Sequence, residues 1–110
     1  MKAWVIFERI EERNLDFVPD YRRVAAASVA KFAGRYRALS FNNALIEGPS
    51  IGPGPNMISI LEFDSRERAE AWYRSPEYAE AIALRKDKVL NRAMIIDAAP
   101  PAYAAQAGAV

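Results

Sequence analysis

The chain contains no cysteine and no histidine. Without thiols it has no disulfides, no thiolate nucleophile and no zinc–sulfur site. Without imidazole it has no Ser-His-Asp or Cys-His arrangement, no histidine-ligated haem and no histidine metal centre. Chemistry is left to carboxylates, tyrosines, lysine, arginine or a bound cofactor, and no cofactor is expected. An excess of charge is missing too: 15 Lys and Arg against 14 Asp and Glu leave a net +1, which gives no global field toward nucleic acid or acidic lipid. Long apolar runs are absent. The run Ala3 to Phe7 meets Glu8, Arg9, Glu11, Glu12 and Arg13 at once. It is too short for a signal peptide, and no stretch approaches the roughly 20 apolar residues of a membrane span. The expectation is a soluble, cytoplasmic protein with no membrane and no nucleic-acid partner.

What the chain does have is a globular balance, 52% hydrophobic and 26% charged in 110 residues. That is one domain, able to bury roughly two-thirds of its extended-chain surface. Its most informative stretch is Trp72-Tyr73-Arg74-Ser75-Pro76-Glu77-Tyr78. A proline pushes the residue before it out of the helical region, so one helix ends near Arg74. Ser75 is placed to cap the next helix and Pro76 to occupy its first position.

Elsewhere the pattern is simple. Ala3 to Phe7, Met57 to Phe63 and Ala93 to Asp97 are β-branched and aromatic runs of strand length. Arg35 to Leu39 is a weaker strand, with Ala44 to Glu47 as its continuation, and Gly48 to Asn56 is a loop by composition. Tyr21, Val24, Ala25, Ser28, Val29 and Phe32 follow the spacing of an amphipathic helix opened by Pro19. Gly34 is placed to end that helix in the left-handed region. Asp64 and Glu67 have the spacing of a capping box for the helix carrying Ala69, Trp72 and Tyr73.

The order strand, helix, strand, strand, helix, strand predicts a ferredoxin-like α+β fold, an antiparallel sheet with helices on one face. A lone two-layer sandwich would alternate apolar and polar residues along its strands. Here Trp4 and Ile6 oppose Val5 and Phe7, Ile58 and Ile60 oppose Met57 and Leu61, and Ile95 opposes Met94 and Ile96. Both faces are apolar, so a homodimer packed through the sheet face is expected. The domain is expected to span residues 1–98. Residues 99–110 read as a flexible tail or an arm that contacts a partner.

The segment Trp72 to Tyr78, with Leu84-Arg85, matches an aromatic-Tyr-x-Ser-Pro-Glu-Tyr signature. By it the chain resembles the family called domain of unknown function 1330, in the dimeric α/β-barrel superfamily. Weaker matches are Lys2 to Ile6, Tyr21, Gly34-Arg35-Tyr36 and Leu45-Ile46-Glu47-Gly48, so the resemblance spans roughly Lys2 to Ala98. It implies a dimeric α/β barrel and a pocket, but no reaction. Members often carry His-Gly-Gly-Arg where this chain has Phe32-Ala33-Gly34-Arg35, and Gly-Gly where it has Ser40-Phe41.

Related dimeric barrels hold small molecules between the sheet and its helices. On that resemblance Tyr21, Arg35, Tyr36, Trp72 and Arg85 are candidate ligand-binding residues and Glu62 a candidate catalytic base. Glu62 shares a strand face with Ile58 and Ile60. Held among apolar neighbours its pKa would be raised, as a base requires; alternatively it sits in water or pairs with arginine. Arg35 offers a fork for a carboxylate substrate, or is a solvated charge after the helix. Trp72, Tyr73 and Tyr78 form a substrate platform or pack the core. Convergence of Glu8, Glu62 and Asp97 would suit a hard cation, but their spacing fits no metal motif and no metal is expected. Phe7 and Phe63 admit RNA stacking, against which stand the near-zero charge, the missing signature and the rival use of that face by a dimer. Two functions remain: a homodimer binding a small molecule or partner, and a cofactor-independent enzyme using Glu62 with Arg35 or Tyr36.

Overall fold

In the first strand, β1 (Ala3–Glu12), Ala3, Val5, Phe7 and Arg9 are buried while Trp4, Ile6 and Glu8 are half-exposed. The period of two sends alternate side chains to opposite sheet faces. The computed structural model describes residues 1–49 and 55–103. After β1 come α1 (Val18–Lys31), β2 (Arg35–Ser40), β3 (Met57–Phe63), α2 (Arg66–Tyr73), α3 (Pro76–Arg85) and β4 (Val89–Asp97). The strands form one antiparallel sheet in the order β2-β3-β1-β4, the expected ferredoxin-like α+β fold.

Cross-strand register sorts the two faces into rows. Tyr36–Leu61–Val5–Ile95, Leu39–Ser59–Phe7–Ala93 and Met57–Arg9–Asn91 lie toward the helices. Arg35–Glu62–Trp4–Ile96, Ala38–Ile60–Ile6–Met94 and Ser40–Ile58–Glu8–Arg92 lie on the open face. The open face therefore has an apolar middle row between two rows that carry charge. Phe7 and Phe63, the aromatics that would have served RNA stacking, are 5% and 0% exposed on the helix side. Buried there, they offer no surface for stacking a base.

Aromatic packing builds the core. The Trp72 ring centroid lies 4.1 Å from Tyr78, 5.2 Å from Phe63 and 6.2 Å from Phe7, the last edge-on. Such pairs add about 0.5–1.5 kcal/mol each beyond their buried area. The buried indole Nε1 donates to Ser28 Oγ at 2.9 Å, and Ser28 Oγ donates to the Ala25 carbonyl at 2.7 Å. Ser75 caps α3 as its sequence position predicts. Its Oγ accepts from the Tyr78 N–H at 3.1 Å and donates to the Trp72 carbonyl at 2.7 Å, with Pro76 next.

Local details differ from the sequence reading. β1 and β4 run past their apolar stretches, because Glu8 faces Arg92 in register and the two pair at 2.6 Å. Ala44–Glu47 forms no strand. The cap of α2 is Ser65, whose Oγ accepts from the Arg68 N–H at 3.1 Å; Asp64 instead accepts from Arg35 Nη2 at 3.0 Å. At the end of α1 the left-handed residue is Ala33, with φ 57°, not Gly34. Ala33 N–H donates to the Ala30 carbonyl and Gly34 N–H to the Val29 carbonyl, at 3.0 and 2.9 Å, a Schellman closure. Gly34 is needed for space: a Cβ there would lie 2.5 Å from Phe63 Cε1. Ala98 N–H donates to the Lys2 carbonyl at 2.9 Å. Of the expected loop and tail, residues 50–54 and 104–110 fall outside the described residues.

Candidate functional site

Between the sheet and α1 lies a cavity of about 270 Å³. Ala25 and Ala26 of α1 line it, and side chains that small leave the space over β3 and β2 unfilled. Its inner wall is Phe7, Leu61, Trp72 and Tyr78. At its mouth stand Tyr36, Leu39 and Phe41, which are 51%, 54% and 58% exposed.

Polar groups reach into this space from five elements, β1, α1, β2, α3 and β4. Tyr21 Oη and Tyr78 Oη lie 2.8 Å apart, so whichever donates, one O–H remains to give. Burial, then the neighbouring Tyr21, pushes Tyr78 up, and Arg85 only partly opposes the shift. Tyr36 is half exposed as a whole residue, yet burial of its phenol, and then Tyr21, pushes it up to about 12. Both phenols stay neutral donors at ordinary pH. Arg9 is brought in by β1, where it takes the same inward phase as Val5 and Phe7. A register shift in the pairing of β1 with β4 follows immediately, between Arg9 and Glu11; such bulges re-aim side chains. Arg85 ends α3, its guanidinium carbon 6.0 Å from the centroid of the Tyr78 ring. Burial, the largest single influence, would lower its pKa, but Tyr78, Tyr21 and Tyr73 together outweigh it and the net shift is upward. Among the described residues, Arg9 Nε, Arg85 Nε and Asn91 Oδ1 are buried without a hydrogen-bond partner.

Of the sequence-predicted residues, Tyr21, Tyr36, Trp72 and Arg85 border this cavity. Arg35 and Glu62 do not; they are partners in register on the open face. There Glu62 accepts from Trp4 Nε1 at 3.1 Å and Arg35 Nε at 2.9 Å, with Lys2 Nζ at 3.6 Å. These donors, Trp4 and Arg35 foremost, outweigh burial and hold its carboxyl near 2. The raised pKa expected of a base is therefore replaced by a lowered one, and Glu62 is the arginine-paired carboxylate of the second sequence reading. Glu8, Glu62 and Asp97 do not converge: Glu8 lies two rows from Glu62, and Asp97 accepts from Arg66 at 3.0 Å by α2.

Residues 2–99 match the family model described as Domain of unknown function (DUF1330). The chain belongs to this family. No curated protein matches the sequence. Solved structures of the same fold include a protein of unknown function from Rhodopseudomonas palustris, 17% identical with TM-score 0.69 over 91% of this chain and 84% of that one. Another is a dimeric ferredoxin-like protein of unknown function from Bacteroides fragilis, 14% identical with TM-score 0.59 over 87% and 95%. A third is SnoaB, a cofactor-independent oxygenase from Streptomyces nogalater, 10% identical with TM-score 0.54 over 92% and 96%. At these identities the likeness is one of fold. Phe32 is partly buried and packs against the core.

Sequence reasoning missed Arg9, Asn91 and the inward hydroxyl of Tyr78. Arg9 is in phase with Ala3, Val5 and Phe7, but Glu8 is equally in phase with Trp4 and Ile6, so the sequence does not say which charge faces the helices. Asn91 carried no signal, because its strand was read as starting at Ala93.

Proposed function

We propose that this protein is a homodimer that binds a small organic molecule in the cavity between sheet and α1. The space of about 270 Å³, walled by aromatics and set with a few convergent polar groups, is the observation that carries the reading, because ligand sites have that composition. The dimer is supported by the open face, whose middle row Ala38–Ile60–Ile6–Met94 is apolar throughout, and by the dimeric state of similarly folded proteins. Among the described residues no helix is long and apolar enough to cross a membrane.

A second reading is a cofactor-independent enzyme acting on a small organic substrate. It is favoured by the spare O–H of the Tyr21–Tyr78 pair, which is placed to stabilise developing negative charge on a substrate oxygen. In that reading the cavity does the work and Glu62 has no part in it, since a carboxylate held near 2 is a weak base.

The test is a thermal-shift screen of small organic molecules against the wild type and Ala26→Trp. Ala26 is exposed at the cavity wall, so the indole fills the space without entering the core. A ligand at a hundred times its Kd stabilises by about 2.7 kcal/mol. Hits on the wild type should disappear in Ala26→Trp; hits that persist would place binding elsewhere and refute the cavity as the site.

A further inference from the structure

The cavity's charge is one-sided. Arg9, Arg22 and Arg85 line it, and no aspartate or glutamate among the described residues does. The nearest relief is Glu12, 3.5 Å from an Arg9 guanidinium nitrogen by an i,i+3 contact outside the cavity lining. Arg9 is only 9% exposed, and its Nε and that of Arg85 lack acceptors among the described residues. Burying a cationic donor without an acceptor is costly. The same end of the cavity holds Asn91, partner of Arg9 in register. Arg85 is brought there because α3 ends at Arg85 and β4 begins at Val89, itself a lining residue. The turn between them is tied to the end of β1 by Arg13 N–H donating to the Lys88 carbonyl at 2.9 Å. Apart from Ser59 and the tyrosine hydroxyls, the rest of the wall is apolar and aromatic.

Resting on the reading of this cavity as a ligand site, we infer that its ligand is a small organic acid with an apolar, ring-sized body. The acid group takes the unpaired donors of Arg9 and Arg85, and the body lies along Phe7, Phe17, Trp72 and Tyr78. Charge-assisted hydrogen bonds of this kind are the strong ones, and a guanidinium presents them to a carboxylate in matched geometry. Asn91 adds its amide NH₂ to the acid when the group is turned half a revolution. The Tyr21–Tyr78 hydroxyl pair supplies a further O–H.

The test uses one body with three heads: 3-phenylpropionate, its amide, and 3-phenylpropylamine. Each is titrated by calorimetry against the wild-type protein, Arg9→Met, Arg85→Met and Ala26→Trp. Methionine keeps the apolar stem and removes the charge. The carboxylate should bind the wild type at least about tenfold tighter than the amide, and the amine should not bind. Each methionine variant should lose about ten- to a hundredfold in carboxylate affinity with little change for the amide. Without ligand, each variant should still fold and melt cooperatively, because methionine keeps the packing of the arginine stem. Amide and carboxylate binding alike, with both lost in Ala26→Trp, would leave the ligand site standing and overturn the acid. Carboxylate binding unchanged in both methionine variants, or absent at millimolar concentration, would overturn it as well. Should Arg9→Met fail to fold, Arg9→Lys keeps the charge without the fork and should bind the carboxylate more weakly than the wild type; equal binding would overturn the role of the fork.

Discussion

Gly34→Ala tests how α1 is joined to the sheet. An added Cβ would sit 2.5, 2.8 and 2.9 Å from three carbons of the Phe63 ring, whereas carbon atoms rest at about 3.5–4.0 Å. The ring has to move by roughly 1 Å, and it has nowhere to go: Phe63 is 0% exposed and its centroid lies 5.2 Å from that of Trp72. Overpacking a rigid core costs about 1–3 kcal/mol, and this site belongs at the upper end. The alanine also reduces the freedom of the unfolded chain, which offsets about 0.4–1 kcal/mol. The net loss is about 2 kcal/mol, a fall in Tm of about 8 °C for a chain of this size. Calorimetry at one fixed protein concentration reads it. The decisive comparison is the same substitution in a Phe63→Leu background, where the ring is gone and Gly34→Ala should be nearly neutral. A cost of 2 kcal/mol persisting there would show that glycine serves backbone conformation instead, and would refute the steric argument. Ala33→Gly, at the left-handed position, should be neutral or stabilising, since only an L side chain is strained there.

Two further outcomes are expected. Because Trp4, Arg35 and Lys2 hold Glu62 near pH 2, the unfolded chain takes up its proton first as pH falls. The stability Glu62 provides is complete above the ordinary carboxylate range and is lost between about pH 4.5 and 2. Thermal melts of Glu62→Gln should show a shallower fall across that window than the wild type, and identical profiles would exclude the linkage. Ile60→Lys places a charge in the middle row of the open face, on a residue already half-exposed in the single chain. It should leave the fold intact and shift the sedimentation of the protein from dimer to monomer at micromolar concentration; a wild type that sediments as a monomer would remove the proposed interface.

The amino-acid pattern alone determined the four strands, the Ser75-Pro76 helix start and the presence of apolar residues on both sheet faces. These follow from short-range rules, the two-residue period of a strand and the backbone limits of proline, that hold wherever the segment is placed. Only the assembled fold decided which phase of each strand faced the helices. That single choice sent Glu62 and Arg35 to the open face and Arg9 and Asn91 into the cavity. The end of α1 was settled at the same level: the sequence favours Gly34 for the left-handed position, but the Phe63 ring needs the space at residue 34, so Ala33 takes the positive φ. Side-chain alternation is a local property, but its absolute sense depends on what packs above, and the helices that pack above are set by residues far away in the chain.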